Sequence, residues 1–220
     1  SLDEFKIIYY WEYAHRIIAR FIGLFFLIPL LYFHFTKKIE KKYLLPCYFI
    51  FILILIQGII GWFMVQSGLV NDITVSHYRL ALHLLVALII TSSIFWLLIN
   101  KLKNKNKLFF NFSKENMPFL LLILLIFIQI IFGAFVSGLD AGKIFQSWPL
   151  MGQSYFPNDL EIKNIKNLFD LNTHSLVQFY HRNLAYLITL YIVLLTFFNY
   201  LRERKISKPF IIVNLFLVFQ

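Results

Sequence analysis

The sequence predicts an all-α fold, a polytopic membrane helix bundle. Three observations carry that prediction: an apolar composition, five apolar runs long enough to cross a bilayer, and basic residues confined to alternate connections. Of the 220 residues, 60% are hydrophobic and 15% are charged, where an ordinary soluble domain has about 45–50% and 25%. A water-soluble globule of this length could not hide so much apolar surface. The same composition excludes disorder.

A crossing needs about 20 mainly apolar residues. The first run, Ile7–Phe35, opens on Tyr9, Tyr10, Trp11 and Tyr13, which with Trp62 read as an interfacial aromatic belt. Pro46–Val65, Tyr78–Ile99, Met117–Val136 and Ser175–Tyr200 are the next four crossings. A sixth apolar run starts at Phe210 and is cut at Gln220, too short to span. The expectation is a piece of a longer protein with about eight spans, lacking one helix before Ser1 and most of two after Phe210.

Orientation follows from the lysines and arginines. Lys37, Lys38, Lys41 and Lys42 crowd the first connection. Lys101, Lys103, Lys105, Lys107 and Lys114 crowd the third, and Arg202, Arg204, Lys205 and Lys208 the fifth. The segment 66–77 has none, and 137–172 has only Lys143, Lys163 and Lys166. The positive-inside rule makes the first set cytoplasmic or matrix-facing and puts the N-terminus outside. The net charge of +10 is therefore topological, and nucleic acid is not an expected partner. One cysteine, Cys47, allows neither an internal disulfide nor a thiolate cluster.

The chain echoes itself. Glu12-Tyr13-Ala14-His15-Arg16 and Gln178-Phe179-Tyr180-His181-Arg182 both read acid or amide, aromatic, any residue, His, Arg. Gln57-x3-Gly61 with Ser67-Gly68-Leu69 is matched by Gln129-x3-Gly133 with Ser137-Gly138-Leu139. Two parallel, pseudo-symmetric four-helix halves explain both pairs. The predicted organisation is a first half over 1–100, a basic cytoplasmic loop over 101–116 and an incomplete second half over 117–220.

Ionisable groups inside a span cost about 2.5–3.5 kcal/mol each on insertion scales, so they usually have a function. His15, His83 and His181 all fall near the outer ends of helices. At i+4 and i+8 they are followed by Ala19 and Gly23, Ala87 and Thr91, and Ala185 and Thr189. Each histidine thus heads a strip of small residues on one helix face, against which a flat macrocycle could lie. Arg16, Arg79 and Arg182 sit at the same outer level, and guanidinium groups suit carboxylates such as haem propionates. Haem held by imidazole is the favoured reading. Copper or zinc on imidazole, and plain helix–helix hydrogen bonding, are the alternatives. His34, His77 and His174 are read as interfacial, solvated or capping residues.

Glu12 stands four residues before Arg16. It reads as an i,i+4 ion pair or as a carboxylate serving proton transfer beside a haem edge. Its counterpart Gln178 cannot ionise, so the halves are expected to differ in chemistry. The outer loop through Asp140, Gly142, Trp148-Pro149-Leu150-Met151-Gly152 and Tyr155-Phe156-Pro157 is expected either to re-enter the interface or to cover the site.

These residues resemble one family, haem A synthase of the mitochondrial and proteobacterial type. The resemblance rests on the stretch from Glu4 to Arg16, on Gly61–Leu69, on Ser76–Leu84, on Gly138–Gly142, on Pro149–Gly152 and on Gln178–Arg182, in the family's order. It implies an eight-helix enzyme that oxidises a ring methyl of haem O to the formyl of haem A for cytochrome oxidase assembly. By position, His15 and His83 would be axial ligands of the substrate haem, Glu12 the acid needed for oxidation, and His181 a ligand of the cofactor haem b. The family's fourth histidine would lie in the last helix, beyond this chain. Some members carry paired cysteines in outer loops, and this sequence has none. The implied partners are haem O and haem O synthase (the protohaem farnesyltransferase), within membrane lipids. A homo-oligomeric state is left open. The implied location is a bacterial inner (cell) membrane, with the mitochondrial inner membrane as the alternative. A b-type cytochrome serving only as an electron carrier, and a transporter with parallel repeats, are the competing functional readings.

Overall fold

A computed structural model describes residues 2–68, 75–103, 113–160 and 165–219. Leu69, Lys105, Lys107 and Lys163, named above, lie outside them. The described residues form six α-helices: α1 (Leu2–Phe35), α2 (Lys41–Gly68), α3 (His77–Leu102), α4 (Met117–Gly138), α5 (His174–Glu203) and α6 (Lys208–Phe219). Two short 3-10 turns, Ala141–Lys143 and Ile165–Phe169, lie between α4 and α5. The first five helices are long and apolar enough to cross a membrane, so the chain is a polytopic membrane helix bundle.

Five of the six helices begin earlier than the apolar runs alone predict, and α4 begins at Met117 as predicted. α2 starts at Lys41, with Tyr43 N–H bonded to Glu40 O at 2.9 Å. Pro46 lies inside it, past the first turn, and leaves the Lys42 carbonyl without its i→i−4 donor. Pro118 and Pro209, by contrast, are the second residues of α4 and α6, where proline's fixed φ favours a helix start. Large apolar side chains face outward all along the spans, with Phe25 75% and Leu45 78% exposed. Such a surface suits a lipid surrounding.

Contacts divide the chain into two compact units: Ser1–Ile73 with Leu85–Phe109, and Thr74–Leu84 with Phe110–Gln220. In the first, α1 packs on α2 through the buried Leu30 and Ile50 and through Phe26 stacked on Phe51 at 6.4 Å. The His34 ring nitrogen hydrogen-bonds the Tyr48 hydroxyl, tying α1 to α2 at their basic ends. Glu40 forms ion pairs there with Lys42, at 3.0 Å, and with Lys101. The Lys101 and Lys42 ammonium groups hold its carboxyl below the ordinary carboxylate range.

In the second unit, α4 lies along α5. A core of Ala81, Ala134, Phe135 and Val177 is flanked by Leu80, Phe132, Leu139 and Leu171. Gly138 lets two backbones approach closely: a Cβ placed on it would stand 2.8 Å from His77 Cβ and 2.9 Å from His77 Cα. His77, expected to be a solvated or capping residue, opens α3 and is 7% exposed, with its ring against Tyr78 at 4.0 Å and perpendicular to Phe135 at 5.2 Å. α6 joins α5 through Asn214 Nδ2, which donates to Thr196 Oγ1 at 2.8 Å. A polar cross-link of this kind holds helices together where lipid provides no hydrophobic drive.

Candidate functional site

In the second unit the site is built on His181, in the second turn of α5. Its ring is half-buried, and its Nδ1 is buried with no hydrogen-bond partner among the described residues. Two residues of α4, one turn apart on a single face, stand against it. Gln129 Nε2 donates to His181 O at 3.2 Å and lies 3.4 Å from the ring Nε2. At Gly133 a Cβ would come within 3.2 Å of His181 Cε1 and 3.8 Å of Nδ1. Only the missing side chain leaves the ring its place. A buried imidazole nitrogen without a partner is costly unless it serves a ligand.

The strips below the histidines differ in their surroundings. Thr91 and Thr189 donate their hydroxyls to Ala87 O and Ala185 O, each at 2.9 Å. Both strips thereby turn a methyl rather than a free hydroxyl outward. On α1, in the first unit, His15 and Ala19 are exposed. At Gly23 nothing lies within 4 Å of an added Cβ, so the face below His15 is unobstructed. Among the described residues no three His, Cys, Asp or Glu side chains converge to hold a bare metal ion.

The predicted arginines take different partners. Arg16 Nη2 pairs with Glu12 Oε1, with both side chains close to half exposed. Arg182 Nη2 donates to Phe145 O at 2.6 Å and Nη1 to Ser147 O at 2.8 Å. Gln178, 4% exposed, donates Nε2 to the same Phe145 O at 2.9 Å and reaches Gly142 O at 3.5 Å. Arg79 is half-buried near the start of α3, and His83 is half-buried one turn further on.

The outer loop after α4 is thus strapped to α5. Asp140, in a left-handed conformation, pairs with Lys143 at 2.7 Å. Ala141 and Met151 are sealed inside at 0% and 1% exposure. Gly152 turns at φ +79°, and its N–H donates to Ser147 Oγ at 3.0 Å. Tyr155 donates its hydroxyl to Asn183 Oδ1, and the Phe156 and Phe179 rings meet edge-on at 5.1 Å. Sequence reasoning missed the carbonyl partners of Gln178 and Arg182, and the Tyr155–Asn183 tie. It did single out Gln129-x3-Gly133, whose i,i+4 spacing was the available signal for a face turned toward His181.

The fold and these intramembrane imidazoles define a class: a polytopic helical membrane protein with histidines presented near the ends of its spans. The chain matches the family model described as cytochrome oxidase assembly protein over residues 1–220, and it belongs to that family. It is 44% identical over 220 residues to the heme A synthase of Pelagibacter ubique, covering 100% of this chain and 64% of that protein. With the heme A synthase of Parvibaculum lavamentivorans it shares 41% over 196 residues, covering 88% and 56%. With that of Rickettsia felis it shares 40% over 201 residues, covering 89% and 58%. The chain therefore spans about three-fifths of the length of these relatives. No solved structure matches it.

Proposed function

We propose that this chain belongs to a haem A synthase, a membrane oxidoreductase that converts a CH group of haem O, oxidising a ring methyl to the formyl of haem A. Similarity to relatives bearing that name supports the reaction. The observation that carries the haem reading is the buried, unpartnered His181 Nδ1 beside Gly133.

In this reading His181 would be a ligand of haem b, and His15 in the first unit and His83 in the second would each be a haem ligand in its own unit. Bound haem iron would relay the electrons removed from the methyl to an external oxidant. The chain's own residues orient and seal. Arg16 and Arg79 meet propionates, and Arg182 adds a propionate contact to its hold on the loop. That loop, from Asp140 and Gly142 to Tyr155, covers the outer end of α5 and keeps water from it. Glu12 Oε1 holds and passes a proton. Haem O comes from haem O synthase, and the protein resides in a bacterial inner membrane.

The test is mass spectrometry of haem extracted from cells making the full-length protein with the farnesyltransferase. A formyl-bearing haem is expected. Its absence refutes the reaction. Glu12→Ala should keep bound haem and lose that product. An electron carrier would retain its activity in the same variant.

A further inference from the structure

We infer that the groove at the basic end of the first unit is a binding site for an anionic phospholipid. It is walled by Phe33, Tyr43, Leu97 and Leu98, with Lys38 and Lys101 at its rim. Its place, where α1 ends, α2 begins and α3 ends, is the headgroup level of the lysine-rich side. Lys42 also reaches the site, with Nζ 5.0 Å from the centre of the Tyr43 ring, and Lys101 Nζ lies 5.4 Å from the same centre. Glu40 pairs with both ammonium groups, fixing their positions. Three lysines against one glutamate leave the site positive.

A second observation points to a ligand. Tyr43 is only 7% exposed; its buried hydroxyl lies beside the Lys42 ammonium, which is a donor, and among the described residues no acceptor takes its proton. Such a proton in an apolar wall is a strong reason for an acceptor to be bound there. A phosphate diester beside Lys38, Lys42 and Lys101 supplies one. The apolar walls then take the acyl chain, which favours a lipid over a free anion. Basic pockets between spans on this side of a membrane suit such headgroups.

The test is native mass spectrometry of the full-length protein in detergent, titrated with phosphatidylglycerol or phosphatidylcholine. Wild-type protein should retain phosphatidylglycerol preferentially. The preference should fall about fivefold for each lysine removed in Lys42→Gln and Lys101→Gln. Tyr43→Phe, which deletes a single oxygen and leaves the packing, should lower retention roughly three- to tenfold. Inorganic phosphate should not displace the lipid. Equal retention of the two lipids, an undiminished preference in Tyr43→Phe, or displacement by inorganic phosphate would each overturn the proposal. Because the measurement needs no turnover or haem, its outcome is independent of the haem reading.

Discussion

Gln178 and Arg182, one turn apart on α5, share a single acceptor. Gln178 Nε2 reaches Phe145 O at 2.9 Å and Arg182 Nη2 reaches it at 2.6 Å. Both residues stand in the motif that echoes Glu12 and Arg16, yet those two bond to each other. The same spacing makes a loop anchor on α5 and a local ion pair on α1.

Removing that anchor should free the loop without unfolding the helices. Hydrogen bonds from a charged donor contribute about 1.5–3 kcal/mol. Arg182→Leu with Gln178→Leu should therefore open the segment between Asp140 and Phe156 to proteolysis. Limited digestion with mapped cleavage sites checks this, with circular dichroism confirming unchanged helix content. Wild-type resistance in the double variant would contradict the anchoring role.

Gly138→Ala should destabilise the second unit by about 1–3 kcal/mol, the usual cost of overpacking. The added methyl would stand within 3 Å of His77 backbone and Cβ atoms, which cannot swing aside as a flexible side-chain tip could. Thermal unfolding in detergent measures the loss. An unchanged melting midpoint would show that the two backbones separate freely.

Gly133→Val should displace the His181 ring, since even one Cβ comes within 3.2 Å of it. In the full-length protein the expected result is a lower haem-to-protein ratio, read from the Soret band. If haem content is unaffected, His181 and Gly133 do not form the cradle described.

Glu12→Gln should leave stability nearly unchanged. The Arg16–Glu12 pair is about half exposed, and exposed i,i+4 pairs contribute only about 0.3–0.5 kcal/mol. Formyl-haem production should nonetheless collapse while haem remains bound. A large drop in melting temperature would instead make Glu12 structural.

Asp170 gives a pH prediction. The Asn172 N–H at 3.1 Å, then the Asn172 side-chain amide at 3.1 Å and the Thr173 hydroxyl at 3.0 Å, hold its carboxyl below the ordinary range. A depressed folded pKa stabilises above the unfolded value, about 3.9. That contribution fades as pH falls through the lower folded value. The melting difference between the protein and Asp170→Ala should therefore be constant above about pH 5 and shrink below about pH 4. A gap that stays constant into stronger acid would show that the ionised form is not preferred.

Much of this architecture was legible beforehand. Runs such as Met117–Val136 can only be spans, because a bilayer admits backbone whose hydrogen bonds close within the segment. Gln129 and Gly133 were read only as part of the internal repeat; residues four apart share a helix side, but that this side meets His181 was not read. His77 was read as solvated or capping; it does open α3, but it is buried rather than solvated. Its neighbours in sequence are polar, and the glycine that lets it be buried lies on another helix. The roles of Gln178 and Arg182 were equally hidden, because their acceptors are loop carbonyls that every residue carries and no side-chain pattern marks.

Composition, apolar run length and lysine placement thus determined by themselves a membrane helix bundle, its spans and its family motifs. Those features act through local periodicity and transfer from water to lipid, both read one residue at a time. Only the tertiary structure decided that α4 leaves room for the His181 ring, that Gly138 admits His77 and that α5 straps the outer loop. Such relations depend on the distance between segments far apart in the chain, and packing alone sets that distance.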